Sequence, residues 1–175
     1  ASVMLSGGEG GGVITLDQVE ARDKLRVVSD IGSRLPIYGT AQGKVFLAHM
    51  SRTSAEALLR AQHMTQFTPH TITDLTALMQ EIDLCRANGY AIENGEYKIG
   101  LRSISAPVYT VEGKARYTVG VIGMFRSTRS DEFLAAVEQV CATASMNSNE
   151  LDYRKTGDIL EDIPPPLSAP SGTHC

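Results

Sequence analysis

The sequence predicts an α+β domain in which helices pack against an antiparallel sheet. Strand-like runs come first along the chain, followed by three helical segments, a second group of strands and a last helix. No internal repeat and no regular βαβα alternation is present, which argues against repeat architectures and a parallel sheet. The chain has 175 residues, 42% of them hydrophobic and 21% charged, which suits one domain with its own core.

The first strands are predicted to form a hairpin around a glycine-rich turn. Ser2–Leu5 and Val13–Glu20 are short β-like runs, and five glycines lie between them in Gly7–Gly12. No Gly-Lys-Ser/Thr follows these glycines, so a flexible turn is favoured over a phosphate-binding loop. A further strand is predicted at Leu25–Ile31, and Pro36 keeps the residue before it extended.

The helices are predicted from capping residues and apolar periodicity. They lie over about 41–50, from Thr53 to about Arg60, from Thr73 to Asn88, and from about Ser130 onward. Thr40 is a suitable N-cap for the first helix, and Thr53-x-x-Glu56 forms a capping box for the second. The third helix follows the 3.6-residue period and stops at Gly89. Strands are predicted between the third and last helices, at Tyr90–Ile92, Arg102–Val111 and Tyr117–Phe125.

Composition argues against several classes of protein. No apolar stretch approaches the ~20 residues of a membrane helix, and Ala1–Gly12 lacks the regions of a secretory signal. A formal net charge of −4 without a basic cluster makes the chain itself a poor binder of nucleic acid. Three scattered cysteines without a CxxC pair indicate no disulfide framework, and they fit a reducing, cytoplasmic compartment.

No catalytic group, metal site or cofactor is predicted from the residues. The four histidines do not lie at metal-ligand spacing, and no GxSxG nucleophile motif is present. Cys85 lies on the apolar face of a helix, where burial disfavours a thiolate. No catalytic triad or acid pair can be assembled from these residues.

The start of the first helix is a candidate binding site for an anion. Thr40–Lys44 is rich in small residues, and the first N–H groups of a helix have no partner within it. These donors and the helix dipole favour a carboxylate. If Gly43 lets a ligand approach the backbone, Gly43→Val should abolish binding without unfolding the chain.

The second strand region carries further polar candidates. Asn94-Gly95 favours a tight hairpin turn, which would leave the neighbouring acids Glu93 and Glu96 exposed. Ser103 and Ser105 share one face of a strand. Alternation alone does not decide whether that face meets solvent or a polar cavity.

Four stretches resemble the IclR family of transcriptional regulators. Ser33–Ala48 resembles the family's RLP-x-x-x-TA-x-GKA-x-LA stretch, and Val13–Glu20 resembles its VVYLDRVE strand. Arg86–Ala91 and Gly100–Val108 resemble the family pattern RGYA…E…G-x-x-x-IAAPV. The stretches come in family order, and the resemblance extends over roughly residues 13–145.

The resemblance implies a GAF-like (profilin-like) effector-binding domain, over residues 1–150, that binds a small organic acid. Family members form dimers or tetramers and bind operator DNA through an N-terminal winged helix-turn-helix, a segment absent from this sequence. The resemblance stops before the C-terminal end. Residues 151–175 are rich in proline and are expected to form a flexible tail.

The resemblance also implies an effector site. Its residues are Val27 in an apolar wall, Ala41, Gln42 and Gly43 at the carboxylate, the acidic Glu93, the polar Ser103 and Ser105, and Gly120 and Ile122. Gly120 and Ile122 stand where members that sense small keto acids often have serines. Their lack of hydroxyls predicts a roomier, less polar pocket and a larger effector, such as an aromatic acid.

Three functions are therefore compared. The leading one is a ligand-sensing regulatory domain, in which the effector shifts an equilibrium between oligomer states. The second is a small enzyme of the same fold that acts on an organic acid through Glu93 or a cysteine. The third is an oligomerisation module that binds no small molecule.

Overall fold

A computed structural model describes residues 1–9, 11–20 and 30–157 of the chain. In order, the elements are β1 (Ser2–Glu9), β2 (Gly12–Glu20), β3 (Arg34–Pro36), α1 (Ala41–Ala48), α2 (Arg52–Ala61), α3 (Leu75–Asn88), β4 (Ala91–Asn94), β5 (Arg102–Tyr109), β6 (Ala115–Gly123) and α4 (Asp131–Gly157). The strands form one antiparallel sheet in the order β3-β2-β1-β6-β5-β4. The α+β prediction is confirmed.

Helices lie on both faces of the sheet, and each face has its own apolar core. Helix α1 lies against one face, and each of its eight residues is buried. Helix α4 covers β5 and β6 on the other face. The first core includes Val13, Val45, Leu47, Leu59, Leu78 and Ile82, and the second includes Ile104, Val108, Val119, Phe133 and Val140. Each such side chain contributes roughly 1.5–3 kcal/mol by leaving water.

The first hairpin forms as predicted, but most of its glycines lie inside the strands. β1 continues to Glu9, and β2 begins at Gly12. A Cβ atom on Gly8 would lie 3.2 Å from the ring of Phe46 on α1. The absent side chain therefore lets the helix approach the sheet closely, a role that the sequence does not reveal.

Two helices start at other residues than predicted. Ser51 caps α2, since its hydroxyl accepts the Ser54 N–H at 3.1 Å, and Thr53 lies within the helix. Asp74 caps α3 by accepting the Ala77 N–H at 2.8 Å, so the prediction of Thr73 was wrong by one residue. In both cases two capping residues stand close together in sequence, and propensity alone does not choose between them.

Other element ends were predicted correctly. Thr40 caps α1 by accepting the Gly43 N–H at 3.2 Å. Gly89 ends α3 in the left-handed conformation, with a φ of 77°. These two positions combine a strong capping residue with no close competitor, which is why the sequence identifies them.

The segment before α1 differs from the prediction. Residues 21–29 lie outside the described part of the chain, and the predicted strand Leu25–Ile31 falls mostly on them. Ile31 and Gly32 form a turn, and the short edge strand β3 at Arg34–Pro36 was not predicted as a strand.

The C-terminal helix extends past residue 150. α4 continues to Gly157, so its last seven residues belong to the segment expected to be a flexible tail. Residues 158–175 lie outside the described range, and the expectation for them stays a prediction. Among the helices of the described residues, none is long and apolar enough to cross a membrane.

Candidate functional site

A cavity of about 230 Å³ lies where the N-terminal end of α1 meets β4 and β5. Its buried polar residues are Thr40 and Gln42 from α1 and its cap, and Glu93 and Ser103 from the strands. Apolar side chains, the half-buried hydroxyl-bearing Tyr97 and Ser33, and exposed charged residues complete it. The remaining lining residues are Met4, Leu35, Tyr97, Leu101 and Ile122, with Asp30, Ser33, Arg34 and Lys98.

The helical end of the cavity carries hydrogen-bond donors. The Thr40 hydroxyl takes the N–H of Gly43, and the Thr40 carbonyl takes that of Lys44. Among the described residues, the N–H groups of Ala41 and Gln42 have no hydrogen-bond partner. Gln42 is 3% exposed, and within the described part of the chain its Nε2 has one hydrogen-bond partner, the Met4 sulfur at 3.8 Å. A sulfur is a weak acceptor, so this amide keeps most of its capacity for a ligand.

Gly43 packs against protein backbone. A Cβ atom at this position would lie 1.9 Å from the carbonyl oxygen of Ile37. The expectation that Gly43→Val would block a ligand without disturbing the fold is therefore wrong. Gly43 is required because α1 passes so close to the segment before it.

The strand end of the cavity is formed by hydrogen-bond acceptors. Glu93 and Ser103 are cross-strand partners, 2% and 3% exposed. Glu93 Oε1 accepts the N–H groups of Glu96 and Tyr97 at 2.5 and 3.1 Å, and Oε2 accepts the Ser103 hydroxyl at 3.1 Å. Burial raises the pKa of Glu93, whereas these hydrogen bonds act to lower it.

The loop after β4 explains why Glu93 and Glu96 are buried. Asn94-Gly95 does not close a tight hairpin, because seven residues separate β4 from β5, and Gly95 begins that loop with a φ of 72°. Thr68 and Thr71 donate their hydroxyls to the Glu96 carbonyl at 3.2 and 2.6 Å. The loop therefore folds inward, and the prediction of two exposed acids was wrong.

A buried ion pair fixes the same loop from the other side. Lys44 on α1 is 1% exposed, and its Nζ lies 2.7 Å from Glu96 Oε1 and 3.1 Å from the Ile92 carbonyl oxygen. Glu81 Oε2 lies 3.5 Å from the same nitrogen. Lys44 was not predicted to be a buried site residue, since a lysine in an amphipathic helix ordinarily lies on the exposed face.

The structure places only some of the predicted site residues on the cavity. Gln42, Glu93, Ser103 and Ile122 line it, whereas Ala41, Gly43, Ser105 and Gly120 do not. Ser105 donates its hydroxyl to the Val119 carbonyl at 3.2 Å. A Cβ on Gly120 would lie 2.5 Å from the Ile104 carbonyl oxygen, so this glycine allows close strand packing. Val27 lies outside the described residues.

A larger open cleft of about 980 Å³ lies near the opposite end of α1. Its walls are mostly glycine and apolar side chains, and its charged residues Lys114 and Arg116 are exposed. It lacks the buried donors and acceptors that orient a small ligand. The smaller cavity is therefore the better candidate for a binding site.

The sheet, its helices and the IclR C-terminal neighbours define a GAF-like α+β domain. The chain belongs to the IclR family, because the family model described as bacterial transcriptional regulator IclR C-terminal matches residues 1–149. Its relatives are transcriptional regulators and not enzymes. The HTH-type transcriptional regulator BhcR of Paracoccus denitrificans is 33% identical over 114 residues, which are 65% of this chain and 41% of BhcR. The chain thus spans about half the length of the curated relatives it matches.

Solved structures agree with this assignment. The IclR structure from Thermotoga maritima matches with a TM-score of 0.80 and 27% identity, over 87% of this chain and 62% of that one. An IclR homologue from Microbacterium hydrocarbonoxydans, complexed with 4-hydroxybenzoate, matches with a TM-score of 0.78 over 87% and 61%. At 20% identity the second match supports the fold alone.

Proposed function

We propose that this chain is the effector-binding part of a transcriptional regulator and that its effector is a small organic acid held in the 230 Å³ cavity. The observation that carries the proposal is the pair of unused donors that Gln42 brings to the cavity at the start of α1, its backbone N–H group and its side-chain Nε2. A carboxylate placed there accepts hydrogen bonds and lies at the positive end of the helix dipole.

The size of the cavity supports a small effector. Drug-sized ligands occupy pockets of about 300–1,000 Å³, so this cavity fits a short chain or a single ring. Ile122, Met4 and Leu101 provide an apolar middle section. We keep an aromatic acid among the candidates, and the 4-hydroxybenzoate complex of the Microbacterium homologue is in keeping with that choice.

The rest of the regulator is part of the same proposal. The matched relative BhcR is named as an HTH-type regulator, and the match covers 41% of it. We infer that operator DNA is bound in the cytoplasm by a helix-turn-helix outside the aligned segment. Effector binding would change the balance between oligomer states and so the affinity for the operator.

We further propose that the chain associates with a second copy of itself through the outer face of β1 and β2. α4 covers β5 and β6 but leaves an apolar surface beside it, formed by Val3, Leu5, Leu16, Val19 and Tyr117, which are 37–65% exposed. Contiguous exposed apolar patches of a few hundred Å² are often functional on soluble proteins. A stable interface buries about 800 Å² per partner, its polar rim included, and an apolar patch of this kind can pair with its own copy about a two-fold axis.

The effector proposal is tested by calorimetry with benzoate and valerate as probes. At least one should bind, and Gln42→Leu should weaken binding by about tenfold or more, because a hydrogen bond to a charged group is lost. The control is Gln80→Leu on the exposed side of α3, which should bind like the wild type. If neither these acids nor their hydroxylated and dicarboxylate analogues bind, with self-association intact, the oligomerisation module is favoured.

The self-association proposal is tested by sedimentation velocity. The wild type should sediment as a dimer or larger species, and Val19→Lys should shift it to the monomer. Leu84→Lys, at a similarly exposed position on α3, is the matched control and should leave the mass unchanged. A monomeric wild type at high concentration would overturn this part of the proposal.

A further inference from the structure

The strand end of the cavity offers no buried proton to a ligand. The only hydroxyl proton of Ser103 is donated to Glu93 Oε2, and Glu93 Oε1 already takes two N–H groups. What remains for a ligand is a lone pair on Oε2 and the lone pairs of the Ser103 oxygen. We call these two side chains the acceptor wall.

The opposite end has the reverse polarity. The backbone N–H group and the side-chain Nε2 of Gln42 donate, and Met4 and Ile122, which also line the cavity, are apolar. A ligand that fills the cavity therefore meets donors at one end and acceptors at the other. Because both polar ends are almost fully buried, a mismatched ligand group would leave a polar atom without water or partner.

We propose that the acceptor wall formed by Glu93 and Ser103 selects, among small acids, those that carry a hydroxyl or N–H group at the end opposite the carboxylate. This rests on the proposed function, since it assumes that the carboxylate lies at α1. A site whose buried acceptors pair with a ligand hydroxyl strongly rejects an analogue that lacks the hydroxyl. This rejection is far stronger than the rejection of an added hydroxyl by an apolar site. Acids with a second carboxylate at that end are excluded, because it would meet the buried carboxylate of Glu93.

The charges around Glu93 support this polarity. The charge of Glu96 acts to raise the pKa of Glu93, and Lys44 pairs with Glu96 at 2.7 Å. Asp30, Arg34 and Lys98 lie at the exposed rim, where water screens them. Burial raises the pKa of Glu93. If a dicarboxylate binds together with a proton, that proton can lie on Glu93, and the acceptor wall then donates a hydrogen bond to the second carboxylate. Dicarboxylate binding should therefore strengthen as the pH falls, whereas hydroxy-acid binding should not.

The test compares two matched series of acids by calorimetry. One series is benzoate, 4-hydroxybenzoate and terephthalate, and the other is valerate, 5-hydroxyvalerate and glutarate. In the series that binds, the hydroxy acid should bind about tenfold or more tightly than its parent acid, and the dicarboxylate more weakly than the parent at neutral pH.

Variants separate the wall from the rest of the cavity. Glu93→Gln should reduce the hydroxyl advantage and improve dicarboxylate binding, since the amide can donate and carries no charge. Ser103→Ala keeps the Glu93 carboxylate and should retain a preference for the hydroxy acid. Glu138→Gln on α4 lies outside the cavity and serves as the control.

The outcomes distinguish the two proposals. Equal affinity for parent and hydroxy acids, or unchanged selectivity in Glu93→Gln, overturns the acceptor wall and leaves the proposed function standing. Failure of all six acids to bind overturns the organic-acid effector itself. If Glu93→Gln does not fold, the ranking of the acids on the wild type and on Ser103→Ala still decides the question.

Discussion

Replacing Lys44 by Met tests how strongly the buried ion pair stabilises the domain. Met retains most of the apolar stem of the lysine but lacks the ammonium group. Glu96 would then keep a carboxylate, 7% exposed, that has lost its partner at 2.7 Å. Its other oxygen, Oε2, has no hydrogen-bond partner among the described residues. The variant therefore leaves an uncompensated charge in the interior.

The magnitude follows from this burial. Removing one partner of a buried pair costs about 3–5 kcal/mol, because the other charge stays desolvated. A domain of this size is stable by roughly 5–15 kcal/mol, so Lys44→Met should come close to unfolding it.

Urea unfolding followed by circular dichroism measures the effect. Lys44→Met, Glu96→Gln and the double variant form a cycle, and the double variant should recover most of the stability lost by Lys44→Met. The exposed pair Lys114–Glu112, at 3.2 Å, is the matched control. Lys114→Met should cost at most about 1 kcal/mol. If Lys44→Met costs no more than Lys114→Met, the reasoning is refuted.

Three further predictions follow from burial and close packing. Gly43→Ala should lower stability by about 1–3 kcal/mol or more, because its Cβ would lie 1.9 Å from a carbonyl oxygen. In the same urea titration Gly39→Ala should be neutral, because its Cβ would make only ordinary contacts. Burial raises the pKa of Glu93, so the folded state keeps a proton that the unfolded chain has released, and stability falls as the pH rises between the two pKa values. When unfolding is measured from about pH 4 to pH 8, the free energy of unfolding of Glu93→Gln should fall less with rising pH than that of the wild type. An unchanged slope would contradict the raised pKa of Glu93. Burial raises the pKa of Cys85 to about 11, so at neutral pH iodoacetamide should label this thiol only when the fold opens. Peptide mass spectrometry should show slower labelling of Cys85 than of the partly exposed Cys141.

The fold could be predicted from the sequence because its signals are local and agree with one another. Thr40 and Gly89 mark helix ends, and the period of α3 and the alternation in β5 point to the correct element types. Errors arose where two capping residues compete, at Ser51 and Asp74. In both cases the choice depends on which residue the tertiary structure leaves in an extended conformation.

The site was less predictable because its polarity comes from long-range contacts. Asn94-Gly95 is a strong hairpin signal, yet hydroxyls from the segment before α3 and Lys44 on α1 hold the following loop inward. Gly43 and Gly120 looked like openings for a ligand, but the space beside each is filled by backbone from another segment. No local pattern records which atoms occupy that space.

The ion pair and the acceptor wall belong to one arrangement. The ion pair between Lys44 and Glu96 fixes the loop after β4. The backbone N–H groups of Glu96 and Tyr97 in that loop donate to Glu93 Oε1 and hold it in place. Two of the four lone-pair positions on that carboxylate are thereby taken by backbone, and Ser103 takes a third. Since Lys44 and Gln42 lie two residues apart on α1, the same short helix supplies the donor end of the cavity and fixes its acceptor end. A buried charge in a helix that could have been wholly apolar is thus explained by the carboxylate it helps to orient.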